Sequence, residues 1–275
     1  MTKPPPSLEE IVKSRVVHRL PGMEAVTARR GLVYKTEGET RLEMDLYPPP
    51  GLEAGARRPA VVFVHGPVPP GAKAKGMGVF LSYGELAAAS GLVGITFDHR
   101  FSGGETLIQA AGDVSDLLAH VRQEAGALGV DPERMVVWAF SGGGPFLAPL
   151  LAERPGWLRA VVAFYAFLDM QVPPPGQPDT LDPEVRRRFS PVVHLGPGPR
   201  PLPPLLVARA GLDHPFLNEG IDRFVQEALA RNASLDLLNH AEGRHGFDIL
   251  DDDARSRAIV AHALAFVSAH LSPLL

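Results

Sequence analysis

A chain of 275 residues with 45% apolar and 21% charged side chains and a net charge of −4 can bury a large core, which excludes disorder over its whole length. With no cysteine, no basic run and no apolar run of about 20 residues, disulfides, a thiol nucleophile, a nucleic-acid module and a transmembrane helix are excluded as well. Glycine and proline number 28 each, where average usage gives about 19 and about 14, so proline is doubled, and it is clustered.

Residues 1–20 read as an N-terminal tail with a short helix from Leu8 to Val17. Glu9 and Glu10 stand where a secretory leader needs an apolar stretch, so a cytoplasmic location is expected. VTARRGLVY and TRLEMDLY alternate polar and apolar residues as half-buried antiparallel strands do, and Pro48-Pro49-Pro50-Gly51 stops the second. PAVVFVHG is an unbroken apolar, largely β-branched run bounded by Pro59 and Gly66, the pattern of a strand buried on both faces of a parallel sheet. Strands and helices then alternate: a strand at 91–97, a helix from Glu105 to Ala127, a strand at 134–140 and a helix from Gly143 to Glu153. A strand at 158–167, a strand at 203–211, a helix from Phe216 to Arg231, a strand at 234–240 and a helix from Ala254 to His270 complete the series. Two antiparallel strands followed by repeated βα units predict one α/β domain over 21–275, its mostly parallel sheet covered by helices on both faces. Residues 169–202, with prolines at 173–175, 178, 183, 191, 197, 199 and 201, interrupt the pattern. They read as a long surface loop or as a lid over the mouth of the sheet, with a helical turn in DPEVRRRF.

MVVWAFSGGGPFLAPLL carries the chemistry. A strand ends at Phe140, Ser141 takes the turn, and a glycine-rich helix start follows. A serine on a tight strand–turn–helix connection needs small residues two before and two after it, and Ala139 and Gly143 stand there. The helix start is expected to aim N–H groups and the positive dipole end at an oxyanion on Ser141. A serine hydroxyl needs a general base held by an acid. In this architecture both follow on loops after later strands, acid first. Asp213 follows the strand ending near Ala210, and His245 follows the strand ending near His240. Asp213 as a helix N-cap and His245 as a surface side chain are the competing structural readings. Asp182 and Asp248 rival the acid, and His240 and His214 rival the base. Histidines 18, 99, 120, 194, 262 and 270 read as structural, His65 as organising its loop, and Arg100 as an ion-pair partner.

LEMDLYPPPG leading to VVFVHG, ITFDHR, GVDPERMVVWAFSGGG and EGRHGFD resemble the small esterase and dienelactone-hydrolase-like branches of the α/β-hydrolase superfamily, over about residue 40 to the C-terminus. The resemblance implies an α/β-hydrolase fold with an eight-stranded, mostly parallel sheet and a short Pro-rich lid insertion at 169–202. It also implies cleavage of carboxylic esters through an acyl-serine, without metal or organic cofactor. Ser141 is then the nucleophile, His245 the base and later the acid, and Asp213 the orienting carboxylate. Gly142 N–H is expected in the oxyanion hole. The second donor normally comes from the loop after PAVVFVHG, where this chain has His65-Gly66-Pro67-Val68 and Pro67 has no N–H to give. Gly66, Val68 or the Tyr83 hydroxyl is left to substitute. A small-molecule ester is the expected partner, without nucleic acid or membrane, and a homodimer is left open. The alternatives are a weak or inactive hydrolase fold kept for binding, and a peptidase-like hydrolase.

Overall fold

The β-branched runs of the sequence become the centre of a sheet, and their unbroken apolar character follows from cover on both faces. The computed structural model describes residues 8–173, 176 and 181–272. Its strands are β1 (Arg29–Glu37), β2 (Thr40–Tyr47), β3 (Arg58–Val64), β4 (Val93–Phe97), β5 (Val130–Phe140), β6 (Leu158–Phe164), β7 (Leu205–Ala210) and β8 (Leu235–His240). They form one sheet in the order β1-β2-β4-β3-β5-β6-β7-β8. β2 runs antiparallel to both β1 and β4, and the remaining neighbours pair parallel.

The helices are α1 (Leu8–Lys13), α2 (Gly78–Ala89), α3 (Leu107–Gln123), α4 (Ala125–Leu128), α5 (Leu147–Glu153), α6 (Pro183–Arg188), α7 (Pro215–Ala230), α8 (Phe247–Leu250) and α9 (Ala254–Leu271). Because side chains alternate across a strand, each central strand feeds two cores. Val62, Val64, Val137, Ala139 and Val161 pack in one core with Leu117 and Val121 of α3 and Phe224 of α7. Val61, Phe63, Val136, Trp138 and Val162 pack in the other with Leu86 of α2 and Val260 and Val267 of α9. Each such large side chain, fully buried, stabilises the fold by roughly 1.5–3 kcal/mol.

Three features depart from the sequence reading. Residues 14–20 are held down rather than trailing: Val16 is buried, its N–H donates to Ser82 Oγ at 2.9 Å, and Val17 N–H donates to the Asp248 carbonyl at 2.8 Å. The expected helix from Gly143 begins as a 3-10 turn over Ser141–Phe146, and α5 starts only at Leu147, since Pro145 has no N–H to continue an α-helical ladder. Segment 78–89, given no element from the sequence, is α2.

The described part of 169–202 is packed rather than loose. Phe189 and Leu195 are buried in the first core, and Asp169 accepts from Ser190 Oγ at 3.0 Å and Arg223 Nε at 2.7 Å. Arg154, itself buried, donates to the carbonyls of Leu151, Arg200, His194 and Gly196. The expected lid also takes in 174, 175 and 177–180, which lie outside the described residues. Residues 1–7 of the expected tail lie outside them too.

Candidate active site

β5 ends at Phe140, and Ser141 takes φ 52, a left-handed backbone that non-glycine residues adopt at a cost. The neighbourhood explains the three glycines that follow. A Cβ on Gly142 would lie 2.4 Å from Pro67 Cδ, one on Gly143 2.6 Å from the Val64 carbonyl oxygen, and one on Gly144 2.3 Å from the Phe167 carbonyl oxygen. Ala139 is buried with no exposed surface, as the tight crossing at the turn requires.

Ser141 Oγ lies 2.8 Å from His245 Nε2, and His245 Nδ1 lies 2.6 Å from Asp213 Oδ2. The Asp213 side chain is 0% exposed and that of His245 38%. The loops bearing them are tied together. Gly211 N–H donates to the His240 carbonyl at 2.8 Å, and Leu212 N–H to the Gly243 carbonyl at 2.9 Å. At Gly211 a Cβ would meet the Ala241 carbonyl oxygen at 2.3 Å. Arg244 adds an ion pair, Nε to Asp251 Oδ1 at 2.7 Å, beside the histidine. Asp213 does not cap α7: the N-cap is His214, whose N–H donates to Asp213 Oδ1 at 2.7 Å.

The rival residues sit elsewhere. Asp182 caps α6 through the N–H groups of Glu184 and Val185. His240 contacts Ser256 Oγ at 3.0 Å, and His214 lies against Phe216. Asp248 is buried, accepting from Tyr83 and Tyr165 at 2.7 Å each. Arg100 forms the expected ion pair, Nε to Asp113 Oδ2 at 2.9 Å.

On the oxyanion side, two of the substitute donors are occupied. Val68 N–H donates to the Phe101 carbonyl at 3.0 Å, and the Tyr83 hydroxyl is spent on Asp248. Both expectations are therefore corrected, in each case because a nearer buried acceptor takes the hydrogen. Gly66 does face the elbow: a Cβ there would stand 3.0 Å from Gly142 N and 3.5 Å from Ser141 Cβ. The loop after Pro67 is clamped by Lys75, whose N–H donates to Asp98 Oδ1 at 3.1 Å and whose ammonium meets Asp45 Oδ1 at 2.9 Å. Under it, His65 and His99 stack at 3.6 Å and 4° between ring planes. His65 Nδ1 contacts the Gly66 carbonyl at 2.6 Å and His99 Nε2 the His65 carbonyl at 3.2 Å, so each ring carries its hydrogen there and is neutral. Burial pushes the His65 pKa down to about 4 and that of His99 well below the usual histidine range.

Sequence reasoning missed Tyr165. It stands in an unbroken apolar run that reads as strand to residue 167, yet β6 ends at Phe164 and Tyr165 takes φ 38. Its ring centroid is 4.7 Å from that of His245. Among the described residues no group of three or more His, Asp or Glu side chains is placed to hold a metal ion, and no helix is long and apolar enough to cross a membrane.

The BD-FAE family model matches residues 44–156, from β2 through the elbow to the end of α5. No curated protein matches the sequence significantly. Among solved structures, the native thermophilic esterase 2 of the Planctomycetes species Thermogutta terrifontis is 22% identical, covers 92% of this chain and 96% of its own, and superposes with a TM-score of 0.72. Its propionate-bound form gives 22%, 93%, 98% and 0.72, and the form phosphorylated by paraoxon 23%, 93%, 100% and 0.70. With the sheet order, the elbow after β5 and these likenesses in agreement, the chain is a protein of the α/β-hydrolase fold.

Proposed function

We propose that this protein is a serine hydrolase cleaving carboxylic esters, with Ser141 as nucleophile, His245 as general base and acid, and Asp213 as the orienting carboxylate. The observation that carries the reading is the relay of 2.8 Å and 2.6 Å from Ser141 through His245 to Asp213, built on a serine with φ 52. As Ser141 Oγ attacks the ester carbonyl carbon, its proton passes to His245 Nε2. Asp213 keeps the Nδ1 hydrogen in place and stabilises the imidazolium that forms. Gly142 N–H donates to the carbonyl oxygen as it becomes negative. Collapse of the tetrahedral adduct breaks the ester C–O bond, and the leaving alkoxide takes the proton from His245. Water then attacks the acyl-serine by the same steps, releasing the acid and restoring the serine.

Phe167, whose N–H donates to the Ser141 carbonyl at 2.9 Å, packs edge-on against Phe216 at 5.9 Å. The apolar residues of 169–202, rich in Val, Phe, Leu and Pro, favour small to medium apolar acyl groups. The likeness to an esterase whose structures hold propionate and butyrate supports the same size range.

Purified protein is expected to hydrolyse p-nitrophenyl acetate or butyrate, and Ser141→Ala to lose that activity. Wild type no faster than the mutant, or a mutant as fast as wild type, overturns the assignment. Pro67 favours a second reading, a hydrolase fold retained for binding with weak or no turnover, because the amide that ordinarily donates second is absent and Val68 N–H is already bonded. Labelling of Ser141 by a fluorophosphonate separates the two: a folded protein that stays unlabelled belongs to the second.

A further inference from the structure

The loop that carries His245 runs into α8, and Asp248 in its first turn is wholly buried. Its Oδ2 accepts the Tyr83 hydroxyl of α2 and its Oδ1 the Tyr165 hydroxyl that follows β6, both at 2.7 Å. The same Tyr165 lays its ring on the His245 imidazole, at 4.7 Å between centroids and 59° between planes. None of the acyl-transfer steps uses these groups. A carboxylate removed from water is costly unless every oxygen is hydrogen-bonded, and here both are.

The protonation state follows from that geometry. Burial and the nearby carboxylate push both tyrosines well above their usual range, so each hydroxyl is a donor. Burial raises the Asp248 pKa and outweighs the two tyrosine hydrogen bonds and His245, which lower it. With both oxygens accepting, a carboxyl proton would require one tyrosine hydroxyl to turn away. The ionised form is the one that fits.

We propose that Asp248 is a positioning residue for His245: through the Tyr165 hydroxyl it holds that ring against the imidazole, and it sets a second buried carboxylate one side chain away from the imidazolium formed during acyl transfer. The proposal rests on the role given to His245 above. The titratable groups facing His245 are Asp213 from the loop after β7, Ser141 from the elbow, and Tyr165 and Asp248. Arg244, next in the chain, is engaged by Asp251 at 2.7 Å. Those facing Asp248 are Tyr83, Tyr165 and His245.

Asp248→Asn keeps the shape and removes the charge. Without that charge the imidazolium is less favoured. The acid limb of the kcat/KM profile for p-nitrophenyl butyrate is therefore expected to move to lower pH by about half a unit or more. The carbon-13 titration of the His245 ring, assigned with His245→Gln, should move with it. Tyr165→Phe keeps the ring and takes one donor from Asp248, which then takes up a proton more readily, so a smaller shift in the same direction is expected; it carries the test if the Asn variant does not fold. A merely structural role would lower the melting temperature and kcat with both titrations unmoved, and that result overturns the proposal. The ring titration needs no substrate. A protein without esterase turnover but with the shift fails the proposed function alone, and an active one without the shift fails the positioning role alone.

Discussion

In the esterase reading proposed above, Pro67 stands where the second oxyanion amide is expected, and its ring lies against Gly142. One oxyanion donor changes turnover by about a hundred- to a thousand-fold where it is fully engaged. Pro67→Ala restores an N–H without adding glycine's freedom, at a stability cost below about 1 kcal/mol through the unfolded chain. Its kcat on phenyl and alkyl esters is expected to rise by about tenfold or more, with less gain on p-nitrophenyl esters, whose leaving group needs less help. A steady-state comparison across leaving groups reads this, and an unchanged kcat would show that Gly142 works without the 67 amide. At the other end of the relay, Asp213→Asn keeps the shape but favours the wrong imidazole tautomer, and kcat should fall by about a thousand- to ten-thousand-fold with the fold intact by circular dichroism.

The elements position these residues through close backbone contacts more than through side-chain chemistry. Strand β5, the elbow, the 66–67 turn and the segment after β6 meet so closely that three consecutive glycines each face another part of the chain. Gly144→Ala would put a methyl group 2.3 Å from a backbone oxygen that no rotamer can move. A loss of roughly 1–3 kcal/mol in urea unfolding is expected, with a larger fall in kcat than stability explains, since the Ser141 backbone shifts with it. The segment around 194–200 depends likewise on Arg154, whose buried guanidinium is shared among four carbonyls. Arg154→Met fills much of the volume but leaves those carbonyls unpaired, and should cost about 2–4 kcal/mol. Faster proteolysis within 194–200 would locate the damage.

At the scale of the whole molecule, buried neutral histidines couple folding to pH. His65 and His99 have folded pKa values depressed below the ordinary 6.5, to about 4 for His65. The unfolded chain therefore binds more protons between those values, and stability falls as pH drops from about 6.5 toward 4. A second window lies lower. Burial raises Asp113, but hydrogen bonds from Arg100 and Lys35 outweigh it and hold its pKa below the ordinary 3.8. The stability it contributes is present above that value and is lost as pH falls through the lowered one. The melting temperature should therefore decline in two stages, and His99→Phe, with a flat ring and no proton to bind, should flatten the first. A melting curve independent of pH between 6.5 and 4 would contradict the neutral stack.

The amino-acid sequence by itself determined the strand runs, their succession along the chain and the three side chains proposed as the relay. Those follow from local rules: β-branched runs between Pro and Gly, a serine on a strand–turn–helix connection, and an acid and a histidine on loops after later strands. Position along the chain is enough to order Ser141, Asp213 and His245, because in a parallel sheet successive strand ends lie at the same edge. Only the tertiary structure decided which donors are free. The Val68 N–H and the Tyr83 hydroxyl look available until the Phe101 carbonyl and Asp248 are brought beside them from 33 and 165 residues away in the chain. It likewise decided that Tyr165 leaves its strand to meet His245, and that the SGGG run is glycine because the Pro67 ring and the Val64 and Phe167 carbonyls lie against its three glycines. Hydrogen-bond partners and close approaches are properties of pairs, and no window of sequence contains both members.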